Sequence, residues 1–241
     1  MAVWSRRAIG VIAALLWGAG GGIAHAGEPT RDWANLGAYR EADRLLIANG
    51  EDVARVVFMG DSITEFWDKP RTGFFANPHF VNRGISGQTS AQMLVRFRQD
   101  VLALHPRLVV ILAGTNDVAG NTGPATNEDI EGYIASMVEL ARANGVAVVL
   151  VSLVPTARYP WAPDADPIAR IGQINGWLRE YAQSSKIPFA DVFTPMATPE
   201  KALRPDLGDD GVHPNAQGYA IIEGVLSPLL KGRATPEAPS R

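Results

Sequence analysis

A three-layer α/β/α sandwich around a parallel sheet is the fold class that this sequence predicts, and two observations predict it. Five apolar runs rich in β-branched residues recur along the chain, and the longer ones lack apolar–polar alternation, as strands covered on both faces do. Between the runs lie segments whose apolar residues recur at helical spacing. Strand alternating with helix gives a parallel sheet with right-handed crossovers and helices on both sides.

A helix over about residues 32–48 precedes the first strand, residues 55–59 (RVVFM), and the second strand covers residues 80–82. Over residues 90–104, helical spacing places Met93, Leu94, Phe97, Val101 and Leu104 on one face. The third strand, residues 108–113 (LVVILA), leads to a helix over residues 127–144 with Ile130, Ile134, Met137, Val138 and Ala141 on one face. Asn144-Gly145 reads as its stop. A fourth strand over residues 147–153, a helix over 167–184, a fifth strand over 188–191 and a closing helix over 215–230 complete the order.

Residues 1–26 read as a secretory signal. Arg6 and Arg7 give a positive start, Ala8 to Trp17 form a short apolar run, and Ala24-His25-Ala26 fits a small-x-small cleavage site. The run is too short and too broken by glycine to be a transmembrane anchor, which takes about 20 residues. The expectation is therefore export, to the periplasm or beyond, of one domain over residues 27–231, followed by a polar tail over 232–241.

The 22 basic and 25 acidic residues give a net charge of −3, which becomes −5 when Arg6 and Arg7 leave with the signal. A mildly acidic chain with no basic run is not a nucleic-acid binder. The chain has no cysteine, so thiolate catalysis and cysteine-built zinc sites are excluded. No H-x-x-x-H pair or clustered carboxylate set is present, and neither metal nor other cofactor is expected. His79 and His105, at element boundaries beside prolines, read as exposed or capping residues.

In open α/β sheets ligands bind beyond the carboxyl ends of the strands, so the residues after each strand carry the functional signal. The first strand runs into Gly60-Asp61-Ser62-Ile63-Thr64. Ser62 there is either a helix cap or a nucleophile whose N–H lies at a helix start, where negative charge is favoured. The second strand runs into Asn82-Arg83-Gly84-Ile85-Ser86-Gly87-Gln88-Thr89, whose glycines permit close backbone approach and N–H groups aimed at an oxyanion. The third runs into Gly114-Thr115-Asn116-Asp117, where the Asn116 amide can donate to a developing charge and Asp117 suits a cap. Near the C-terminus, Asp210-Gly211-Val212-His213 places an acid three residues before a histidine, followed by Pro214. The four blocks together supply a nucleophile, oxyanion donors, and a base with an orienting acid.

These four blocks, in this order, resemble those of the SGNH/GDSL hydrolases, nearest to the platelet-activating-factor acetylhydrolase-like branch. The resemblance covers roughly residues 53–230. It implies a five-stranded parallel sheet of flavodoxin-like type and a GDSL-type serine esterase. In that family Ser62 would match the nucleophile and Asp210 and His213 the acid and base. Gly87, Asn116 and Ser62 itself would form the oxyanion hole. The expected substrate is a short-acyl or acetyl ester, of a small molecule or carbohydrate. Alternatives are a lysophospholipase- or thioesterase-type acyl hydrolase, or a non-catalytic glycan-binding protein on the same fold. Trp67, just past Ser62, and Tyr159 and Trp161, in the proline-stiffened stretch over residues 154–167, either line a substrate cleft or pack beneath a loop.

Overall fold

The apolar runs become strands because both faces of each have a partner. In β1 (Val56–Gly60), all five residues are buried. Val57 and Met59 face one cluster, while Val56 and Phe58 face the other, as the two-residue period of a strand requires. The other strands are β2 (Phe80–Gly84), β3 (Leu108–Ile111), β4 (Ala147–Val151) and β5 (Phe189–Ala190). All pairings are parallel, in the order β2-β1-β3-β4-β5. This structure, a computed structural model, describes residues 32–50, 55–69 and 72–231. The expected signal over residues 1–26 and the tail over 232–241 lie outside the described residues.

The helices are α1 (Arg40–Ala48), α2 (Ser62–Glu65), α3 (Ser90–Asp100), α4 (Thr115–Val118), α5 (Asn127–Ala143), α6 (Pro167–Ser184), α7 (Phe193–Met196) and α8 (Ala216–Leu230). One sheet face is covered by α3, α5 and α6, through Phe97, Ile134, Met137, Ile174 and Leu178. The other is covered by α8 and the segments after β1 and β5, through Trp67, Met196, Tyr219, Ile222 and Leu226. Each fully buried side chain of this size contributes about 1.5–3 kcal/mol of hydrophobic stabilisation, set against the entropy of ordering it. Among the described residues no helix is long and apolar enough to cross a membrane.

Several expected elements are shorter than their patterns; the third and fourth strands each end two residues early, at Ile111 and Val151. The first helix begins at Arg40 rather than near residue 32, because Asn35 has a positive φ of 53° and the Asp32 carboxylate accepts the Gly37 N–H. The third helix stops at Asp100. A 3-10 turn over Leu102–Leu104 follows, and His105, at φ 49° and ahead of Pro106, ends it. The fifth strand keeps only two residues at the sheet edge. The long central helices match closely, with α5 started by a reciprocal Thr126–Asp129 capping box.

The register brings the polar blocks to one level. Gly60 pairs with Gly84 and Met59 with Ile111, so the residues after β1, β2 and β3 leave the sheet side by side. The chain passes from β1 to β2 on one side and then to β3 on the other. The crevice between β1 and β3 is therefore the point where strand order reverses, and α/β sheets bind ligands there.

Candidate active site

Asp61, not Ser62, caps α2. Its Oδ1 accepts the Ile63 N–H at 2.9 Å, so the Ser62 hydroxyl is not consumed as a cap. That hydroxyl instead meets His213 Nε2 at 2.9 Å. Burial pushes the fully enclosed Asp61 carboxyl up to about 7, against the opposing pull of the Ile63 N–H and the nearby His213.

The loop before α8 holds the histidine. Asp210 Oδ1 accepts the N–H groups of Val212 and His213, at 2.9 and 2.8 Å, and Oδ2 lies 2.6 Å from His213 Nδ1. A carboxylate only accepts, so Nδ1 carries a hydrogen and Nε2 is left to accept the Ser62 hydroxyl. Partial burial would raise the Asp210 carboxyl. The bonds from the His213 ring and the two backbone N–H groups outweigh it and hold the carboxyl below its ordinary value. Asn215 caps α8 by accepting from Gln217 and Gly218, and the Tyr219 hydroxyl donates to the Ile63 carbonyl at 2.8 Å. The loop is thus anchored to α2 on its far side.

The loop after β2 lies on the other side of Ser62. A side chain at Gly84 would place its Cβ 2.1 Å from the Glu65 nitrogen, so glycine is what lets this loop pack against α2. Gly87 adopts a φ of +77°, which favours glycine. Among the described residues, the N–H groups of Ser62 and Gly87 have no protein acceptor, and both residues line the same cavity. Asn116, buried in α4, also lines it. Its Nδ2 donates to the Gln88 carbonyl at 3.0 Å and to Asp61 Oδ2 at 3.4 Å, and its Oδ1 accepts from Asn121 at 2.8 Å. The structure therefore brings together the five residues expected as catalytic or oxyanion-hole groups: Ser62, Gly87, Asn116, Asp210 and His213.

A supporting layer lies behind them, made by Arg96, which the sequence did not single out, and by Asp117, whose position suited a cap. The Arg96 guanidinium is fully buried and donates to the carbonyls of Gly60 and Arg83, to Gln88 Oε1 and to Asp100. It ties the ends of β1 and β2 to the loop that carries Gly87. Asp117, whose carboxyl burial pushes up, caps α3 by accepting from both the N–H and the hydroxyl of Ser90. Among the described residues no group of three or more His, Asp or Glu side chains is placed to hold a metal ion.

The cavity above Ser62 has a volume of about 270 Å³ and is lined by Ser62, Phe66, Ser86, Gly87, Asn116, Asn121, Trp161 and His213. Trp161 is about half exposed and its ring lies 6.3 Å from that of His213. Of the two alternatives for the other aromatics, Trp67 and Tyr159, the structure takes packing and not cleft lining. Trp67 is buried between Phe74 and Tyr219, with Nε1 donating to Glu223, because the 3-10 turn over Phe66–Asp68 turns it inward. Phe66 takes the wall position instead, 5.5 Å from the His213 ring and beneath Lys69. Tyr159 is fully buried against Trp161: a tight turn, closed by Ala162 N–H to the Tyr159 carbonyl, leaves only Trp161 facing the cavity. His79 and His105 are exposed.

Comparison with known proteins agrees with this architecture. Residues 58–221 match the model of the GDSL-like lipase/acylhydrolase family. The chain is 30% identical over 207 residues to an acetylxylan esterase of Geobacillus stearothermophilus, covering 74% of this chain and 93% of that one. It is 30% identical over 156 residues to esterase TesA of Pseudomonas aeruginosa, covering 62% of this chain and 70% of that one. The crystal structure of a GDSL-like lipase from Bacteroides thetaiotaomicron superposes with a TM-score of 0.79 at 43% identity, covering 82% of this chain and 98% of the other. With its four blocks at one sheet edge and its family model matched from β1 into α8, this chain belongs to the GDSL-like lipase/acylhydrolase family and is a GDSL-type carboxylic ester hydrolase.

Proposed function

We propose that this protein is an exported serine esterase that acts on short-acyl esters, chiefly acetates, with acetylated carbohydrates as its substrate class. The observation that carries the chemistry is the continuous chain from Ser62 through His213 to Asp210, 2.9 and 2.6 Å per link, beside two open N–H groups.

His213 Nε2 takes the proton of Ser62 as its oxygen attacks the ester carbonyl. Asp210 fixes the tautomer and stabilises the imidazolium. The N–H groups of Ser62 and Gly87 hold the oxyanion, and the Asn116 amide joins them by exchanging its long bond to Asp61 for the new charge. The protonated His213 gives its proton to the departing alcohol. Water, activated by the same ring, then cleaves acyl-Ser62.

The cavity of about 270 Å³, just below the range of ordinary ligand sites, supports a small acyl group. The relative that is an acetylxylan esterase supports a sugar acetate. The signal pattern over residues 1–26 supports export of a single hydrolase domain over 27–231. The test is hydrolysis of 4-nitrophenyl esters from acetate to decanoate, together with acetylated xylo-oligosaccharides. Acetate should be the best acyl group, and Ser62→Ala should lower its turnover by about 10⁴-fold or more while the protein stays folded. A preference for decanoate would refute the short-acyl reading, and an active Ser62→Ala would refute the nucleophile.

A further inference from the structure

Asn121 follows α4 in a tight turn, and its side chain reaches three parts of the cavity at once. Nδ2 donates to Asn116 Oδ1 at 2.8 Å and to the Gly87 carbonyl at 3.1 Å. Oδ1 accepts the Trp161 indole N–H at 3.0 Å. Its backbone N–H also bonds the Asn116 carbonyl at 3.0 Å, which fixes the turn on the helix that carries Asn116.

The chemistry of amides makes this arrangement consequential. The terminal torsion of an asparagine is broad and roughly two-fold, so hydrogen bonds decide which end points where. If Asn116 were turned over, it would present its oxygen to a developing oxyanion and repel it. The donor from Asn121 occupies that oxygen and leaves the Asn116 NH₂ on the side of Asp61 and Gln88. The Asn121 NH₂ also donates to the Gly87 carbonyl, which steadies a residue of positive φ beside the open Gly87 N–H. Asn121 has the same two-fold ambiguity. The indole N–H of Trp161 can only donate, so it selects the Asn121 oxygen and turns the Asn121 NH₂ toward Asn116 Oδ1 and the Gly87 carbonyl.

We propose that Asn121 is the positioning residue of the oxyanion hole and that Trp161 sets its orientation, so that the aromatic wall of the cavity and the donors at its floor act as one hydrogen-bonded unit. The proposal rests on the reading of Gly87 and Asn116 as oxyanion donors.

The test uses the full chain with 4-nitrophenyl acetate and measures kcat and KM separately. Asn121→Ala should lower kcat by about 10- to 100-fold with KM changed by less than about 3-fold, because the loss falls on the charged state. Trp161→Phe keeps an aromatic face but loses the N–H, and should lower kcat in the same sense by about 3- to 10-fold. The Trp161→Phe effect should vanish when Asn121 is already alanine, and the Asn121→Ala effect should shrink when Asn116 is already alanine. A loss of packing alone would give independent, multiplying effects. If Asn121→Ala does not fold, Trp161→Phe and its pairing with Asn116→Ala carry the same test. An unchanged kcat, a change confined to KM, or multiplying effects would overturn the proposal. Ser62→Ala separates the two levels: residual full activity there would defeat the serine mechanism itself. An inactive Ser62→Ala beside a wild-type-like Asn121→Ala would defeat only this inference.

Discussion

Asn116 and Asp61 share the longest hydrogen bond at the site, 3.4 Å from Nδ2 to Oδ2, while the other Asn116 hydrogen is held at 3.0 Å by Gln88. A bond of that length is weak. It is the one that a charged oxygen can displace at little cost.

The expected effect of Asn116→Ala follows from that difference. Turnover of an acetate ester should fall by about 10²–10³-fold, with KM nearly unchanged. Steady-state kinetics check it. A change carried by KM would mean that Asn116 holds only the ground-state substrate.

Asp210→Asn should lower kcat/KM by about 10²–10⁴-fold, since an amide can hold the imidazole in the wrong tautomer. Asp209→Asn, at an exposed neighbour with no bond to the ring, should leave it nearly unchanged. The Asp210 carboxyl sits below its ordinary value in the folded state, so its contribution to stability is present above about pH 4. It is lost as pH falls through the lower folded value. Thermal unfolding at pH 7 and pH 3 should therefore separate wild type from Asp210→Asn at the higher pH more than at the lower.

Asp61 has the opposite sign. Its carboxyl is raised to about 7 in the folded state, so between its ordinary value near 4 and pH 7 the folded protein holds a proton that the unfolded chain gives up. Its contribution then falls with rising pH, by up to about 1.4 kcal/mol per pH unit, and levels off above pH 7. Asn is an equally good helix cap, so Asp61→Asn should keep α2 and lose this slope. Urea unfolding from pH 4 to 8 checks it: the variant should gain on wild type as pH rises. Parallel curves would show that burial does not hold a proton on Asp61.

Trp67→Ala should cost about 3–5 kcal/mol in urea unfolding, as expected for a large side chain removed from a packed core. Trp161→Ala, at a half-exposed position, should cost about 1 kcal/mol or less. The reverse order would mean that the two rings have been assigned to the wrong environments.

The sheet was legible because β1, β3 and β4 are apolar on both faces, and the polar blocks stood out against those runs. Only the fold makes the roles of Trp67 and Phe66 readable. They are neighbours in sequence, and a single 3-10 turn decides which one enters the core. Ser62 was ambiguous for a similar reason, since either it or Asp61 could have capped the helix; the hydrogen bond to Ile63 assigns that task to Asp61. Arg96 and Asn121 left no local signal, because each acts through partners on other segments, brought close by β-strand register and by the loop after β4.

Ser62 and His213 are 151 residues apart in the chain, and the histidine loop is held in place by α8. On the proposed roles, the nucleophile therefore emerges from a ribosome long before its base, and a nascent chain that ends short of Asp210 has a serine with nothing to activate it. In the folded protein Tyr219 bonds the Ile63 carbonyl and ties α8 to α2, the helix that begins at Ser62. On those roles, esterase turnover can serve as a reporter that α8 has docked.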